Sequence, residues 1–450
     1  MVSNKFIFFL WIGLLLSCED HHPLSNEENI NEIKKASIEE IEIGIKAYID
    51  QVALASGGYF PIKNDSLDMN MRLVRVHTEY LSNLGPGKYF ACVDLADEHG
   101  DVYDVDFFLE GTPGDMQVTR TSVHKLNGKP FYVWQQNKAD NTWHQVPFKG
   151  ASSALLGLVE EIDHFEFYYE ITLPEIRGKA EVWIPIAQTD DFQTVELINS
   201  QFPAKEQILT DPKFGNQAIY LALNDQHSGK SISLSYKVVR KEKSPYDQEP
   251  EEDLSPFLVA NTLIPVDDNF KEIANQAIGQ KADEEVLIKA RALYDHVIDN
   301  MKYIKDGNHG TGDAVYACDA QSGNCSEFHS YFIALARSIG IPARFAIGAA
   351  IPSDRNNGGV DGYHCWAEFH ADGQWWPVDI SEANKYTALA TYYFGHHPAN
   401  RIEFSKGRDI KFNPSPKTGA INFFAFPVME IEGVSIKPKA KFSFLRVTAD

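Results

Sequence analysis

Around residue 325 the chain reads Ser322-Gly323-Asn324-Cys325-Ser326-Glu327-Phe328-His329. A turn-forming Gly-Asn pair is followed by apolar residues at helical spacing, and a Gly-Ile-Pro stop over residues 340–342 ends the pattern. The sequence therefore predicts a helix that begins at Cys325. Because the free N–H groups and the positive dipole end of a helix N-terminus stabilise a thiolate, this position favours a reactive cysteine.

Residues 362–380 have the pattern of a β-hairpin. His364 and Trp366 share one face of an alternating strand, and Asp372-Gly373 is a strong signal for a two-residue turn. The register counted outward from this turn places Asp379 opposite Trp366, which makes Asp379 a diagonal neighbour of His364. Such neighbours lie about 7–8 Å apart. The sequence thus predicts that His364 and Asp379 are within side-chain reach, while the packing of Cys325 against them stays open.

Four linked segments together resemble the transglutaminase-like superfamily of papain-type thiol enzymes. They are Gly323-Asn324-Cys325, Gly340-Ile341-Pro342-Ala343-Arg344-Phe345, His364-Cys365-Trp366-Ala367-Glu368 and Trp376-Pro377-Val378-Asp379. Their order and spacing agree with that family over roughly residues 285–385. The resemblance implies a papain-like core with a Cys-His-Asp triad, in which Cys325 is the nucleophile, His364 the base and Asp379 its orienting carboxylate.

The same chemistry needs hydrogen-bond donors for the oxyanion that develops on the attacked carbonyl. The backbone N–H of Cys325 at the start of its helix is one expected donor. Tyr303 is a candidate for the second, because some relatives use an upstream aromatic or amide side chain. Taken singly, these residues have commonplace explanations as a core cysteine, a strand histidine and a turn carboxylate, so the prediction depends on their combination.

Length and charge limit the classes of protein that this chain can represent. The 450 residues are enough for two to four domains, and the formal charge is −22. This charge argues against nucleic acid or anionic lipid as a direct partner. The sequence predicts no metal or cofactor: Cys325 and His329 lack the further ligands of a zinc site, and no calcium-loop spacing is evident. We expect His329 to have a core or supporting role.

The N-terminus has the pattern of an export signal. Lys5 precedes the apolar run Phe6 to Leu16, which is too short for a comfortable membrane span. The sequence Leu15-Leu16-Ser17-Cys18 resembles the bacterial lipoprotein signal, which implies a signal peptide over 1–17, lipidation of Cys18 and a tether over 18–30. We therefore expect an outer-membrane lipoprotein of the cell envelope, periplasmic or surface-exposed, that touches the membrane only through its lipid anchor.

The predicted fold class is α+β, in several domains. A capping box at Ser37 to Glu40 and an apolar stripe predict one helix, followed by alternating strands, and this indicates a helix on an antiparallel sheet over 31–150. Alternating strands over 160–242 predict a β-sandwich that resembles those preceding bacterial transglutaminase-like cores. A proline-punctuated acidic linker over 243–255 leads to the transglutaminase-like domain with a C-terminal β extension over 256–450.

Several polar side chains outside the predicted triad leave alternatives open. Asp104 and Asp106 share a strand face and could bind a cation, although exposed strand carboxylates are the stronger expectation. Cys365 is expected to pack in the core, and a disulfide between Cys318 and Cys325 is disfavoured because it would disable the nucleophile. The pair at 396–397 is expected to be an ordinary polar pair.

Two functions from different classes fit this sequence. The first is a thiol enzyme that acts on amide bonds of proteins or peptides, as a peptidase, deamidase or transamidase. The second is a non-catalytic surface protein that binds a peptide or glycan, because the accessory regions are longer than the catalytic match and a fold alone does not establish chemistry. The complete set of Cys325, His364 and Asp379 favours the enzyme.

Overall fold

The computed structural model describes residues 35–64, 67–137, 142–147, 156–250, 252–304, 310–385 and 387–447. The predicted signal peptide over 1–17, the lipidation site at Cys18 and the tether over 18–30 lie outside these residues. Among the described residues, no helix is both long enough and apolar enough to cross a membrane. The fold is α+β and multidomain, as the sequence predicts.

The N-terminal region packs one helix on an antiparallel sheet. The helix α1, Ile38–Ala55, begins with the predicted capping box of Ser37 and Glu40 and buries its isoleucine stripe on the sheet. The sheet runs β1-β2-β4-β5-β6-β7 with β3 on β4, and β8 and β9 form a separate hairpin. The strands are β1 Phe60–Asn64, β2 Leu67–Val76, β3 Ser82–Gly85, β4 Lys88–Ala96, β5 Val102–Thr112, β6 Asp115–Leu126, β7 Lys129–Pro130, β8 Tyr132–Asn137 and β9 Thr142–Pro147.

The face of this sheet turned away from α1 is buried too, and this corrects one expectation. Asp104 is 3% exposed and Asp106 is 1% exposed, so they are not exposed strand carboxylates. Tyr132 and Trp134 of β8 cover Asp106 and donate hydrogen bonds to it. An alternating pattern identifies the face with apolar residues, but it does not reveal that a second layer covers the polar face.

The next six strands belong to a β-sandwich. They are β10 Ile162–Thr172, β11 Ala180–Ile186, β12 Gln193–Gln201, β13 Glu206–Thr210, β14 Gln217–Leu223 and β15 Ser231–Lys241. Inward residues alternate with outward ones along β10 and β15, where every second side chain is buried. This is the pattern of a strand with one face on a core.

The following region forms an α+β core, in which α5 packs on a sheet of order β16-β22-β21-β19-β23. Almost every residue of α5 is buried, which holds its N-terminus in a fixed place over the sheet. The elements are β16 Tyr246–Asp247, α2 Asp268–Ile278, α3 Val286–Asn300, β17 Lys302–Tyr303, α4 Ala314–Ala320, β18 Ser322–Gly323, α5 Cys325–Ser338, β19 Ala343–Ala350, β20 Asn357–Val360, β21 His364–Ala371, β22 Gln374–Val378, α6 Ile380–Lys385 and β23 Arg401–Lys406.

The C-terminal strands return to the sandwich. They are β24 Val428–Ile431, β25 Val434–Ile436 and β26 Lys439–Arg446. The two sandwich sheets have the orders β12-β15-β10-β26-β20 and β13-β14-β11-β24-β25. The predicted β extension of 256–450 is therefore part of the sandwich predicted over 160–242, and one continuous apolar cluster spans sandwich and core. A strand pattern alone does not identify the sheet that a strand joins.

The first part of the predicted linker over 243–255 is packed into the core sheet. Tyr246 and Asp247 form β16, which pairs with β22. Lys243 is fully buried, and its Nζ lies 2.7 Å from an oxygen of Glu368 and 3.3 Å from one of Glu403. The acidic side chains at 247, 249 and 253 are exposed, as in a linker, but Lys243 and the pairing of β16 hold this segment against the core sheet.

We expect Lys243→Met to lower the free energy of unfolding by about 3 kcal/mol, because it removes the buried cation that Glu368 and Glu403 share. Urea unfolding followed by circular dichroism measures this. Lys237→Met, on the exposed face of β15, is the control and should change the same quantity by at most about 0.5 kcal/mol. Equal effects of the two substitutions would contradict the assignment of Lys243 to a buried ion pair.

Candidate active site

A capped helix start positions Cys325. Asn324 is the N-cap of α5, where its side-chain oxygen accepts a 2.9 Å hydrogen bond from the Ser326 N–H. Glu327 completes a capping box by accepting the Asn324 N–H at 3.0 Å, and its other oxygen accepts the N–H groups of Gly310 and Gly312. Cys325 is thus the first helical residue, and its backbone N–H has no acceptor within its own helix.

The hairpin β21–β22 has the predicted register. Asp372 and Gly373 both have positive φ, at 53° and 83°, as a two-residue hairpin turn requires. The pairing runs outward to Ala367 opposite Val378, so His364 begins one strand and Asp379 follows the other. The His364 Nε2 lies 2.6 Å from the Asp379 Oδ2, and both side chains are buried. The predicted proximity of these two residues is confirmed.

The structure brings Cys325 against His364 and makes its thiol acidic. Burial would raise the pKa of Cys325, but hydrogen bonds with Cys365 and His364 and the charge of His364 outweigh it and lower this pKa to about 6. Burial likewise opposes the imidazolium, yet Asp379 and Cys325 raise the pKa of His364 to about 9. Near neutral pH the site therefore holds a thiolate beside an imidazolium.

Asp379 is held as a carboxylate from several sides. Its Oδ1 accepts hydrogen bonds from the Ser381 Oγ at 3.1 Å and the Glu382 N–H at 3.2 Å. Against the opposing effect of burial, the charge of His364 keeps the pKa of Asp379 far below its ordinary value. The Arg401 guanidinium, 3.9 Å from Oδ2, contributes in the same direction. A permanently charged Asp379 accepts the Nε2–H of His364, so the other ring nitrogen, Nδ1, is the one that serves the Cys325 sulfur.

The cleft over Cys325 has a volume of about 710 Å³. Tyr303 lines it from β17, which runs parallel to β18 just before Cys325. Burial, together with the Cys325 charge, raises the pKa of Tyr303 to about 12, so its hydroxyl remains a donor at neutral pH. Tyr363 also lines the cleft, and its hydroxyl accepts a 2.8 Å hydrogen bond from the Asn324 side-chain amide.

Comparison with known families agrees with this geometry. The family model of the transglutaminase-like superfamily matches residues 271–380, which hold α5, β21, β22 and Asp379. This segment is a transglutaminase-like domain. An uncharacterized protein of Haemophilus influenzae is 25% identical over 315 residues, which cover 59% of this chain and 84% of that protein.

Two solved structures are similar to this chain at lower sequence identity. One, from Cytophaga hutchinsonii and provisionally assigned as a cysteine protease, is 17% identical with a TM-score of 0.45, and covers 65% of this chain and 93% of that one. The other is the periplasmic domain of TgpA from Pseudomonas aeruginosa, 14% identical with a TM-score of 0.29, covering 55% of this chain and 100% of that one.

His329 supports the site of the transglutaminase-like domain from within the core. Its Nδ1 lies 2.6 Å from the Cys325 carbonyl oxygen, and its Nε2 accepts the Ile380 N–H at 3.0 Å. Burial lowers the pKa of His329 to about 4, so the ring is neutral and uses one nitrogen as donor and the other as acceptor. A supporting role was the sequence-based expectation, but this link to the residue after Asp379 is visible only in three dimensions.

Some neighbours of Cys325 and Asp379 were not predicted from the sequence. The 396–397 pair is buried. The His397 ring lies against Trp366, tilted by 36° with ring centres 4.1 Å apart, and its Nε2 is 3.9 Å from an Asp379 oxygen. Cys365 is buried as predicted, and its side chain also forms a hydrogen bond with the Cys325 sulfur. The four cysteines among the described residues are unpaired, including Cys318. No local pattern marks these contacts, because they join segments distant in sequence.

Proposed function

We propose that this protein is a thiol enzyme that acts on amide bonds of proteins or peptides through a thioester on Cys325. The observation that carries the proposal is the buried arrangement of an acidic thiol, a charged imidazole and a carboxylate in one cleft. A strongly perturbed pair of this kind in a cleft is typical of a catalytic site. Protein or peptide substrates fit a cleft of about 710 Å³, which is far larger than one side chain.

The reaction begins with the thiolate of Cys325, whose proton is held by His364. The sulfur attacks the amide carbonyl carbon, and the carbonyl oxygen becomes an oxyanion beside the Cys325 backbone N–H, with Tyr303 as the second donor. When the C–N bond breaks, His364 gives its proton to the departing amine or ammonia, which leaves a thioester. His364 then takes a proton from water, the resulting hydroxide breaks the thioester, and the acid product and the free thiolate are released.

The identity of the acyl acceptor, water or a second amine, decides whether the reaction is hydrolysis or transamidation. We favour hydrolysis, because the cleft is open to solvent and water competes for the thioester. We also propose that the enzyme works in the cell envelope, anchored through a lipid on Cys18, with no direct role for nucleic acid. The lipoprotein-like sequence Leu15-Leu16-Ser17-Cys18 supports this placement.

A product analysis tests the proposed reaction. The protein is incubated with a mixed peptide library, with and without a primary amine, and the products are identified by mass spectrometry. The comparison is the same protein after its thiols are blocked with iodoacetamide. The proposal expects cleaved peptides or deamidated glutamine, with amine adducts only if transfer competes, and none of these from the blocked protein. Identical product lists from blocked and unblocked protein would reject a thioester mechanism.

We expect His329→Phe to slow alkylation of Cys325 about 10- to 100-fold, because the ring keeps its volume but no longer fixes the Cys325 carbonyl and the Ile380 N–H. The rate of iodoacetamide labelling at neutral pH measures this. The control is His296→Phe, which removes a comparable hydrogen bond to Tyr331 in the same domain. If both variants label like the wild type and differ only in thermal stability, His329 has a purely structural role.

A further inference from the structure

A group of metal-type ligands lies on the N-terminal sheet, on the face away from α1. Val105 and Phe107 pack against α1, so Asp104 and Asp106 project from the opposite face of β5. The register of β5 and β6 shifts between Asp104 and Val105, and His124 is the extra residue at this bulge. Bulges of this kind redirect a side chain, and here the imidazole is directed at the two carboxylates.

The three ligand atoms have the spacing of a metal site. The His124 Nδ1 lies 3.6 Å from the Asp104 Oδ1 and 3.7 Å from the Asp106 Oδ1. Bonds of about 2.0–2.2 Å to a tetrahedral zinc ion put ligand atoms about 3.4 Å apart. All three ligand atoms lie within 4.8 Å of one another. The two spacings from His124 match the tetrahedral geometry after movements of a few tenths of an ångström. They are too long for direct hydrogen bonds.

The imidazole is oriented as metal-binding histidines are. The His124 Nε2 lies 3.1 Å from the Tyr132 carbonyl oxygen, which can only accept, so this nitrogen carries the proton. In the neutral ring, Nδ1 then presents its lone pair to the carboxylates. The Tyr132 ring stacks on His124 with ring centres 4.7 Å apart. A histidine whose other ring nitrogen donates to a backbone carbonyl is the usual arrangement beside a metal.

The carboxylates are held in the same way, each by its outer oxygen. The Asp106 Oδ2 accepts hydrogen bonds from the Tyr132 hydroxyl at 3.0 Å and the Trp134 indole at 2.9 Å. The Asp104 Oδ2 accepts one from the Lys125 Nζ at 2.6 Å. The inner oxygens, both Oδ1, are the ones directed at His124. The Cys92 thiol donates to the Asp104 Oδ1 at 2.9 Å and still leaves that oxygen a free lone pair.

The Asp106 Oδ1 is the oxygen in this cluster that lacks a hydrogen bond from any described residue. Its side chain is 1% exposed, and no hydrogen bond among the described residues uses this oxygen. Three acceptors thus face one another around one point: two carboxylate oxygens and an imidazole nitrogen. Lys125 supplies one charge against the two carboxylates, and His124 supplies a second only when a proton occupies the Nδ1 position that a metal would take. Buried charge in such an arrangement is stabilised by a cation at the common point.

We propose that Asp104, Asp106 and His124 bind a divalent transition-metal ion, with Zn²⁺ as the best match and water at the fourth position. Mixed oxygen and imidazole ligands at tetrahedral spacing favour zinc over calcium and magnesium, which take more oxygen ligands. The site uses none of the residues of the transglutaminase-like cleft. It joins β5 to β6 beneath the β8–β9 hairpin, and it stabilises the N-terminal sheet.

Zinc titration of metal-free protein tests the site. The test uses the Cys325→Ser variant, so that the acidic thiol of the cleft does not contribute binding. After gel filtration, we expect one zinc per chain and a higher Tm with ZnCl₂. Asp106→Asn and His124→Gln should each weaken zinc binding at least about 10-fold and abolish the rise in Tm. His99→Gln, which changes an exposed histidine between β4 and β5, should bind zinc like its parent.

Folding of the variants is controlled within the same experiment. An asparagine at 106 keeps an oxygen for Tyr132 and Trp134 and directs an N–H group at the His124 Nδ1, so without zinc this variant should be at least as stable as its parent. Retention of no zinc by the parent would overturn the proposal. Equal zinc binding by the parent, Asp106→Asn and His124→Gln would overturn it as well, because the metal would then lie elsewhere.

Discussion

Replacing Cys325 with alanine is expected to reduce amide turnover by a factor on the order of 10⁴ or more. In the proposed mechanism the Cys325 sulfur forms the covalent bond with the substrate, and no neighbouring group among the described residues substitutes for it. Cys365 is the nearest other thiol, but burial raises its pKa well above the ordinary value, so it stays protonated. The rate of product formation from a responsive peptide measures the effect.

Cys318→Ala is the matched control for this substitution. Cys318 lies on α4, partly exposed, and burial raises the pKa of its thiol. It should keep the activity of the wild type. Full turnover by Cys325→Ala would rule out the thioester mechanism, because catalysis would then not depend on the Cys325 thiol. Absence of turnover in the wild type as well would favour the non-catalytic, ligand-binding alternative.

Asp379→Asn is expected to lower turnover on the order of 10³- to 10⁴-fold while leaving the hairpin intact. The amide can donate to the His364 Nε2, which places the ring proton on Nδ1, facing the thiol. In that tautomer His364 cannot accept the thiol proton. Loss of the carboxylate also removes the largest influence that raises the pKa of His364, so the imidazolium partner of the thiolate is lost.

Measurements of turnover and of its pH dependence test this prediction. Asp372→Asn changes the same residue type at the turn of the same hairpin, where asparagine tolerates the positive φ of 53°. This control should retain activity near that of the wild type. If Asp379→Asn kept wild-type turnover, Asp379 would be a structural carboxylate of the α6 N-terminus.

Two hydrogen-bonded routes join Cys325 to Asp379. One is direct, through the His364 ring. The other runs from the Cys325 carbonyl through His329 to the Ile380 N–H, one residue beyond Asp379. The second route uses backbone groups and a neutral ring, so it fixes positions without adding charge. The helix and the hairpin are therefore held in register independently of the reacting groups.

Local rules explain why so much of this site could be predicted. The turn at Asp372-Gly373 sets the hairpin register, and that register alone brings His364 to Asp379. The capping residues Asn324 and Glu327 mark where the helix starts, which places Cys325 in its first turn. Each inference needs only a few neighbouring residues, and local propensity and tertiary structure agree in these segments.

The contacts that were not predicted all join residues that are distant in sequence. His397 is buried beside Asp379 because the chain after α6 folds back over β21, and its residue type gives no sign of this. Lys243 lies in a segment with the composition of a linker, but it pairs with Glu368 of the β21–β22 hairpin. The sequence pattern predicts β26 as a strand, but it does not predict that β26 pairs with β10. Periodicity identifies elements, and only packing decides their neighbours.

The central claim is that Cys325 and His364 form an activated pair, and the pH dependence of Cys325 alkylation tests it most directly. With a thiol pKa of about 6 and an imidazole pKa of about 9, labelling should rise through pH 6 and be fast at pH 7. In His364→Ala the rise should move to at least the ordinary thiol range of about 8.5, because burial then acts unopposed by the imidazolium. Labelling that rises only near pH 8.5 in the wild type, unchanged in His364→Ala, would contradict the claim.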